Sequence, residues 1–168
     1  MKKRQGLEKS NQSRKYKIIT FVICLIIVIL ISSIGSLFTS KRVNSLWYET
    51  NKPSITPPNF VFPIVWTILF FLIALSMYFS WINAKSKSDK KMIILAFGIN
   101  FIFNVSWSFL FFNLGNPFYG FIDIIILWFS IIFCMTAVWR ISRASFWLLL
   151  PYLLWVSFAG VLNYLFLV

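Results

Sequence analysis

Five nearly unbroken apolar stretches, each about the length that crosses a bilayer, alternate with short polar segments along the chain. They cover roughly 18–38, 60–81, 92–112, 119–139 and 146–168. Because they are continuously apolar rather than alternating, they predict helices and not barrel strands. Turn and breaker residues punctuate them. Pro57-Pro58 precedes the second stretch, Asn113-Leu114-Gly115-Asn116-Pro117 separates the third from the fourth, and Arg140-Ile141-Ser142-Arg143 the fourth from the fifth. The predicted fold class is all-α: a membrane protein built as a five-transmembrane-helix bundle, one domain over 18–168. Ahead of it, residues 1–17 form a basic tail predicted to be disordered, with its lysines resting on anionic headgroups. The first stretch is too long for a signal-peptide core and no Ala-x-Ala-like site follows, so it reads as a span.

Composition agrees. The chain is 60% hydrophobic and 20% aromatic with only 12% charged residues, and its mean hydropathy is +0.82, more apolar surface than a soluble domain of this length can hide. A net charge of +12 raises the question of nucleic acid, but the basic residues lie in short runs between apolar stretches, which excludes that reading. They orient the bundle instead. Lys2, Lys3, Arg4, Lys9, Arg14, Lys15 and Lys17, the connection with Lys85, Lys87, Lys90 and Lys91, and Arg140 with Arg143 fall on one side. Only Lys41, Arg42 and Lys52 fall on the other, which predicts a cytoplasmic N-terminus and an outside C-terminus. Cys24 and Cys134 lie far apart inside apolar stretches and read as small buried hydrophobes. The chain has no histidine, so no metal site, no usual haem ligand and no usual general base is expected.

Helical rise then brings certain side chains to a common depth. Trp66 lies about 9 Å below the outer end of its span, and Asn104 and Trp107 about 18 and 22 Å up theirs. Asp123 lies about 6 Å down, and Trp155, Ala159 and Asn163 about 14, 20 and 25 Å up. All share the outer half, beneath the aromatic, proline-stiffened loop Trp47–Pro58. Trp155, Ala159 and Asn163 form one helical stripe, Asn100, Asn104 and Trp107 another, and Trp66, Phe70 and Ile73 a third. Polar side chains in lipid face the bundle interior, so these stripes point to one pocket, with Ala159 leaving room for a planar guest. Packing is the alternative for the three deep indoles, interhelical hydrogen bonding for the two asparagines, and a helix-dipole role for Asp123. Trp81, Trp139 and Trp147 read as interfacial anchors at the opposite end. Pro151 is expected to kink the last helix.

These residues resemble the tryptophan-rich sensory protein / translocator protein family (TspO/MBR, the peripheral benzodiazepine receptor family). The likeness rests on Trp47-Tyr48 with Lys52-Pro53 and Pro57-Pro58, Val65-Trp66, Asn100-x-x-x-Asn104-x-x-Trp107, Asn116-Pro117 and Asp123. It continues through Pro151-Tyr152-Leu153-Leu154-Trp155-Val156-Ser157-Phe158-Ala159 and Leu162-Asn163-Tyr164. The resemblance implies a homodimeric five-helix bundle that binds protoporphyrin IX or haem as ligand, with no cofactor required. It also implies binding of benzodiazepine-type and isoquinoline-carboxamide compounds. Family pocket positions carry over to Trp47, Trp66, Phe70, Asn104, Trp107, Trp155 and Ala159, with Asn100 and Asp123 as further candidates. If light- and oxygen-dependent porphyrin breakdown occurs, the resemblance assigns it to Trp66 and Trp155. The family's sterol pattern needs a basic residue soon after the tyrosine of the last helix; here Tyr164 is followed by Leu165-Phe166-Leu167-Val168, so specific sterol recognition is not expected.

The expected role is thus a membrane-embedded tetrapyrrole-binding sensor, scavenger or regulator. The alternatives are photo-oxidative degradation and facilitated transport of porphyrin or another hydrophobic small molecule. The Ile/Phe/Asn/Lys bias looks bacterial and points to the cytoplasmic membrane. The predicted topology is directly measurable. A cysteine introduced at Ser54 should react with an impermeant maleimide on intact cells while one at Ser86 is spared; the reverse pattern overturns it.

Overall fold

In the computed structural model the backbone is described for residues 2–168 and the side chains for residues 12–168. Helices follow the apolar stretches closely: α1 is Lys2–Thr39, α2 Leu46–Asn51, α3 Val61–Asn83, α4 Lys87–Ser108, α5 Pro117–Trp139 and α6 Arg143–Leu165. A π-helical turn, Phe109–Asn113, extends α4. Among the described residues, five segments are long and apolar enough to cross a membrane: Gln12–Thr39, Val61–Asn83, Lys87–Asn113, Pro117–Trp139 and Arg143–Leu165.

The ends are set by local chemistry. Ser86 and Asp89 form a reciprocal capping box at α4, with Ser86 Oγ accepting from the Asp89 amide at 3.0 Å and Asp89 Oδ2 from the Ser86 amide at 2.9 Å. Asn116 caps α5 by accepting from the Tyr119 amide at 3.0 Å, with Pro117 in the first helical position. Gly115 turns the chain between α4 and α5 at φ 63°, and a Cβ there would meet the Arg42 guanidinium. Pro151 lies inside α6, which continues on both sides of it.

Two segments differ from the sequence reading. The basic stretch to Lys17, expected as a separate tail, is continuous in backbone with α1, which begins at Lys2. Its Lys, Arg, Gln, Glu and Leu residues are good helix formers, and adding turns to a helix already nucleated avoids the nucleation cost. The connection after α1, expected as an irregular loop, contains α2. Ser45 caps it, its hydroxyl accepting from the Tyr48 amide at 3.3 Å.

The spans do not pack in chain order. α1 lies against α3 and α4, α3 against α6, α6 against α5, and α5 against α4, with α3 also touching α4. The ring therefore runs α1, α3, α6, α5, α4. Inside it, Ile73, Phe97, Ile131, Val138, Leu149 and Val156 are buried, while Ile29, Ile68, Ile102, Phe129 and Leu154 stay exposed. An apolar exterior of this kind suits lipid.

Polar side chains join α4, α5 and α6. Asn100 Nδ2 donates to Ser130 Oγ at 2.9 Å, Asn104 Nδ2 to the Tyr152 hydroxyl at 3.0 Å, and that hydroxyl to Asn100 Oδ1 at 3.4 Å. All four residues are buried. Tyr152→Phe removes the shared oxygen and leaves two asparagine groups short of a partner. It should cost about 1 kcal/mol, read as a lower thermal midpoint in detergent, while Tyr119→Phe on the exposed surface should leave the midpoint unchanged.

Candidate functional site

At the α2 end the ring of helices is not filled. A cavity of about 1050 Å³ lies between α1, α3, α4 and α6 and is roofed by residues 43–60. Its aromatic wall is Trp66 and Phe70 from α3 with Trp107, Phe111 and Phe112 from the end of α4. Among the described residues, no charged side chain lines it.

The wall is built by close packing. Trp66 lies 5.5 Å from Phe70 between ring centroids and meets Tyr152 edge-on at 6.1 Å. Trp107 stacks on Phe111 at 5.3 Å and 17°, and its Nε1 donates to Asn163 Oδ1 at 3.0 Å. Asn163 in turn donates to the Pro117 carbonyl at 2.9 Å, so the indole is held from α6 and α5 together. The π turn widens the helix at Phe109–Asn113 and lets Phe111 and Phe112 both reach the cavity. Gly120 makes room behind them: a Cβ there would lie 3.0 Å from the Phe111 ring and 3.2 Å from Asn163 Oδ1.

The roof hangs from α2. Tyr48 is turned inward, 6% exposed, with its ring 5.6 Å from Phe112 and 6.0 Å from Phe166. Burial, with the negative charge of Glu49 adding to it, pushes its hydroxyl up to about 12, so Tyr48 stays a neutral phenol at physiological pH. Glu49 pairs with Lys52 on the outside of the roof. Asn59 Nδ2 donates to Glu49 Oε1 at 2.9 Å and to the Val43 carbonyl at 3.3 Å, tying the far end of the roof to its start. Thr56 Oγ1 and Asn59 Oδ1 are buried with no hydrogen-bond partner among the described residues, and both residues line the cavity.

Of the nine residues singled out from the sequence, Trp66, Phe70, Asn104, Trp107 and Ala159 line the cavity; Trp47, Asn100, Asp123 and Trp155 do not. Trp47 packs behind the wall on Phe111 at 5.9 Å and Phe166 at 5.2 Å, with the Arg42 guanidinium 5.7 Å from its ring. In a helix, neighbouring side chains point about 100° apart, so forming α2 turns Tyr48 to the cavity and Trp47 away from it. Asn100 lies one turn deeper than Asn104 and is engaged with Ser130 and Tyr152. Asp123 is 4% exposed, with Oδ2 unpartnered, on α5, which contributes nothing to the lining. Trp155 lies against Phe62 at 5.8 Å and Phe158 at 5.7 Å, because α6 packs on α3 there.

Several lining residues escaped the sequence reading. Tyr48, Phe111 and Phe112 depend on α2 and the π turn, which carry no clear local signal. Ser32 and Ser36 of α1 and Ser40, just beyond its end, also line the cavity. Their i, i+4, i+8 spacing in an otherwise apolar span was a legible signal.

Comparison with known proteins agrees with this architecture. The sequence pattern described as the TspO/MBR family matches residues 22–168. The chain is 37% identical over 150 residues to the tryptophan-rich protein TspO of Chlorobaculum tepidum, covering 88% of this chain and 94% of that one. It is 38% identical over 149 residues to the TspO of Archaeoglobus fulgidus, with the same coverages of 88% and 94%. With the TspO of Bacillus cereus it shares 31% identity over 123 residues, 73% of this chain and 79% of the other. A family match across nearly all of the five-span bundle, with relatives at this identity, establishes that the chain is an integral, multi-pass membrane protein of the TspO/MBR family.

Proposed function

We propose that this protein binds a tetrapyrrole, protoporphyrin IX or haem, in the cavity beneath α2 and acts as a membrane sensor, scavenger or regulator of that ligand. The observation that carries the reading is the charge-free cavity of about 1050 Å³ walled by Trp66, Phe70, Trp107, Phe111 and Phe112. That volume is at the upper end of the range for ligand sites, about 300–1,000 Å³, and suits a large flat guest. Aromatic faces stack on a macrocycle and remove its apolar surface from lipid and water. With no histidine in the chain, the ring face and not the usual iron ligand is the expected handle. In the orientation the basic residues favour, the cavity lies in the outer half of a bacterial cytoplasmic membrane. A homodimer is part of the same reading: an apolar groove between α1 and α4, lined by Ile31, Phe38, Gly98, Phe101, Ile102 and Phe109, offers a face for a second copy.

Protoporphyrin IX should quench the intrinsic tryptophan fluorescence in a saturable way. Trp66→Ala should raise Kd about tenfold through lost burial and stacking, and Trp155→Ala should raise it less, because that indole sits outside the lining. Trp147→Ala, at the opposite end of the bundle, is the control. Equal losses from Trp66→Ala and Trp147→Ala would remove the ligand from this cavity.

A second reading, light- and oxygen-dependent degradation of the bound porphyrin, is favoured by one observation: two indoles, Trp66 and Trp107, face the cavity directly. An excited porphyrin stacked on either could oxidise it. Trp66→Phe keeps an aromatic face, so it should preserve binding while slowing light-driven product formation. Wild-type rates and products in this variant would leave Trp66 as a wall and nothing more.

A further inference from the structure

Proteins hold haem iron through the side chains of His, Cys, Met or Tyr. This chain has no histidine. Cys24 and Cys134 are packed in the hydrophobic core, and among the described residues no cysteine or methionine lines the cavity. Two buried tyrosines lie close to the aromatic wall. Tyr152 meets Trp66 edge-on but stands outside the lining, and its hydroxyl is engaged between Asn104 and Asn100. Tyr48 lines the cavity from the roof, and its hydroxyl makes no hydrogen bond among the described residues. A tyrosine 6% exposed normally finds a partner for that group. Its absence marks an oxygen left available to whatever enters the cavity.

The charge of the guest decides what that oxygen is suited to. Ferric haem carries a net positive charge at its centre, because the macrocycle offsets only part of the charge on the iron. No charged side chain among the described residues lines the cavity, so that charge goes unmatched unless an iron ligand supplies the anion. A phenolate does so. Tyr48 releases its proton to solvent, its oxygen takes the place of water on the iron, and the centre becomes neutral. Ferrous haem is already neutral there and gains no such match.

The ring is held in place for this task. It lies 5.6 Å from Phe112 and is stacked on Phe166 at 6.0 Å and 22°. Lys52 Nζ stands 5.8 Å from its centroid, a cation that favours the deprotonated oxygen. Glu49 acts in the opposite sense, but its carboxylate is paired with Lys52.

From these placements we infer that Tyr48 is the iron ligand of the site, its phenolate oxygen binding ferric haem in preference to ferrous haem. This inference rests on the tetrapyrrole reading and adds to it the donor atom and the oxidation state that the cavity selects.

The test titrates ferric haem, dithionite-reduced haem and protoporphyrin IX into the full chain in detergent, following tryptophan quenching together with absorption and electron paramagnetic resonance spectra. Wild-type protein with ferric haem should show a phenolate-to-iron charge-transfer band and a high-spin ferric signal, both absent from haem in detergent alone. Its affinity for ferric haem should exceed that for ferrous haem about tenfold. Tyr48→Phe keeps the ring on Phe112 and Phe166 and breaks no hydrogen bond within the protein. It should abolish the band and lower the ratio of ferric-haem to protoporphyrin IX affinity about tenfold. Should that variant not fold, Tyr48→His, offering a nitrogen from the same place, should exchange the phenolate band for the spectrum of a histidine-bound haem. A phenolate band that survives either substitution, or a wild type with bound ferric haem and no such band, overturns the inference while leaving porphyrin binding intact. Absence of saturable binding of haem and of protoporphyrin IX alike to the wild type overturns the tetrapyrrole reading and this inference with it.

Discussion

Hydrocarbon offers no hydrogen bonds, and most of what is particular to this bundle follows from that constraint. Every asparagine, serine hydroxyl and indole N–H within the spans must find a partner in the protein or remain as a cost. Asn100 and Asn104 find theirs on Ser130 and Tyr152, so α4, α5 and α6 are joined at one depth. Trp107 finds Asn163, and Asn163 the Pro117 carbonyl, which joins the same three helices nearer α2. Apolar contacts do not by themselves fix a helix's rotation when lipid is as apolar as the neighbouring helix. These few polar bonds do.

Once rotation is fixed, the cavity is a consequence of shape. The π turn at Phe109–Asn113 widens the end of α4, and Gly120 admits the Phe111 ring against α5. Trp107 stacked on Phe111 then forms a stiff surface that cannot fold inward to close the gap. Ala159 on α6 is too small to fill it from the other side. The roof is held separately, by Ser45 capping α2 and Asn59 reaching back to Val43 and Glu49. Roof and wall meet through aromatic packing, Tyr48 on Phe112 and Phe166 and Trp47 on Phe111 and Phe166.

The charged side chains near the cavity lie outside its lining. Lys41 reaches Asn113 and Arg42 lies over Trp47, both behind the wall. Lys52 is paired with Glu49 above the roof. At the other end Lys90 and Arg143 sit over Trp81 and Trp139, a pairing suited to the membrane interface. Among the described residues, the basic side chains thus bracket the bundle and stay out of the cavity, which is lined by aromatic rings, aliphatic side chains and neutral polar groups.

The amino-acid sequence by itself determined the five spans, because span length and continuous apolarity are local properties that lipid reads directly. It also determined the level along the helix axes shared by Trp66, Asn104, Trp107 and Ala159, since helical rise is fixed at about 1.5 Å per residue; which residues at that level face the cavity does not follow from it. What lies at right angles to the helix axes was decided only by the tertiary structure. The ring order α1, α3, α6, α5, α4 is set by which faces interlock, and it alone moves Asp123 behind the lining and turns Trp155 onto Phe62. Tyr48 replaces Trp47 at the cavity because six residues of a connecting segment become helical once Ser45 caps them. Phe111 and Phe112 enter through a change of helical pitch for which the run of apolar residues carries no mark. Depth is a property of one helix, whereas facing is a property of its neighbours, and a single sequence encodes the second only through packing.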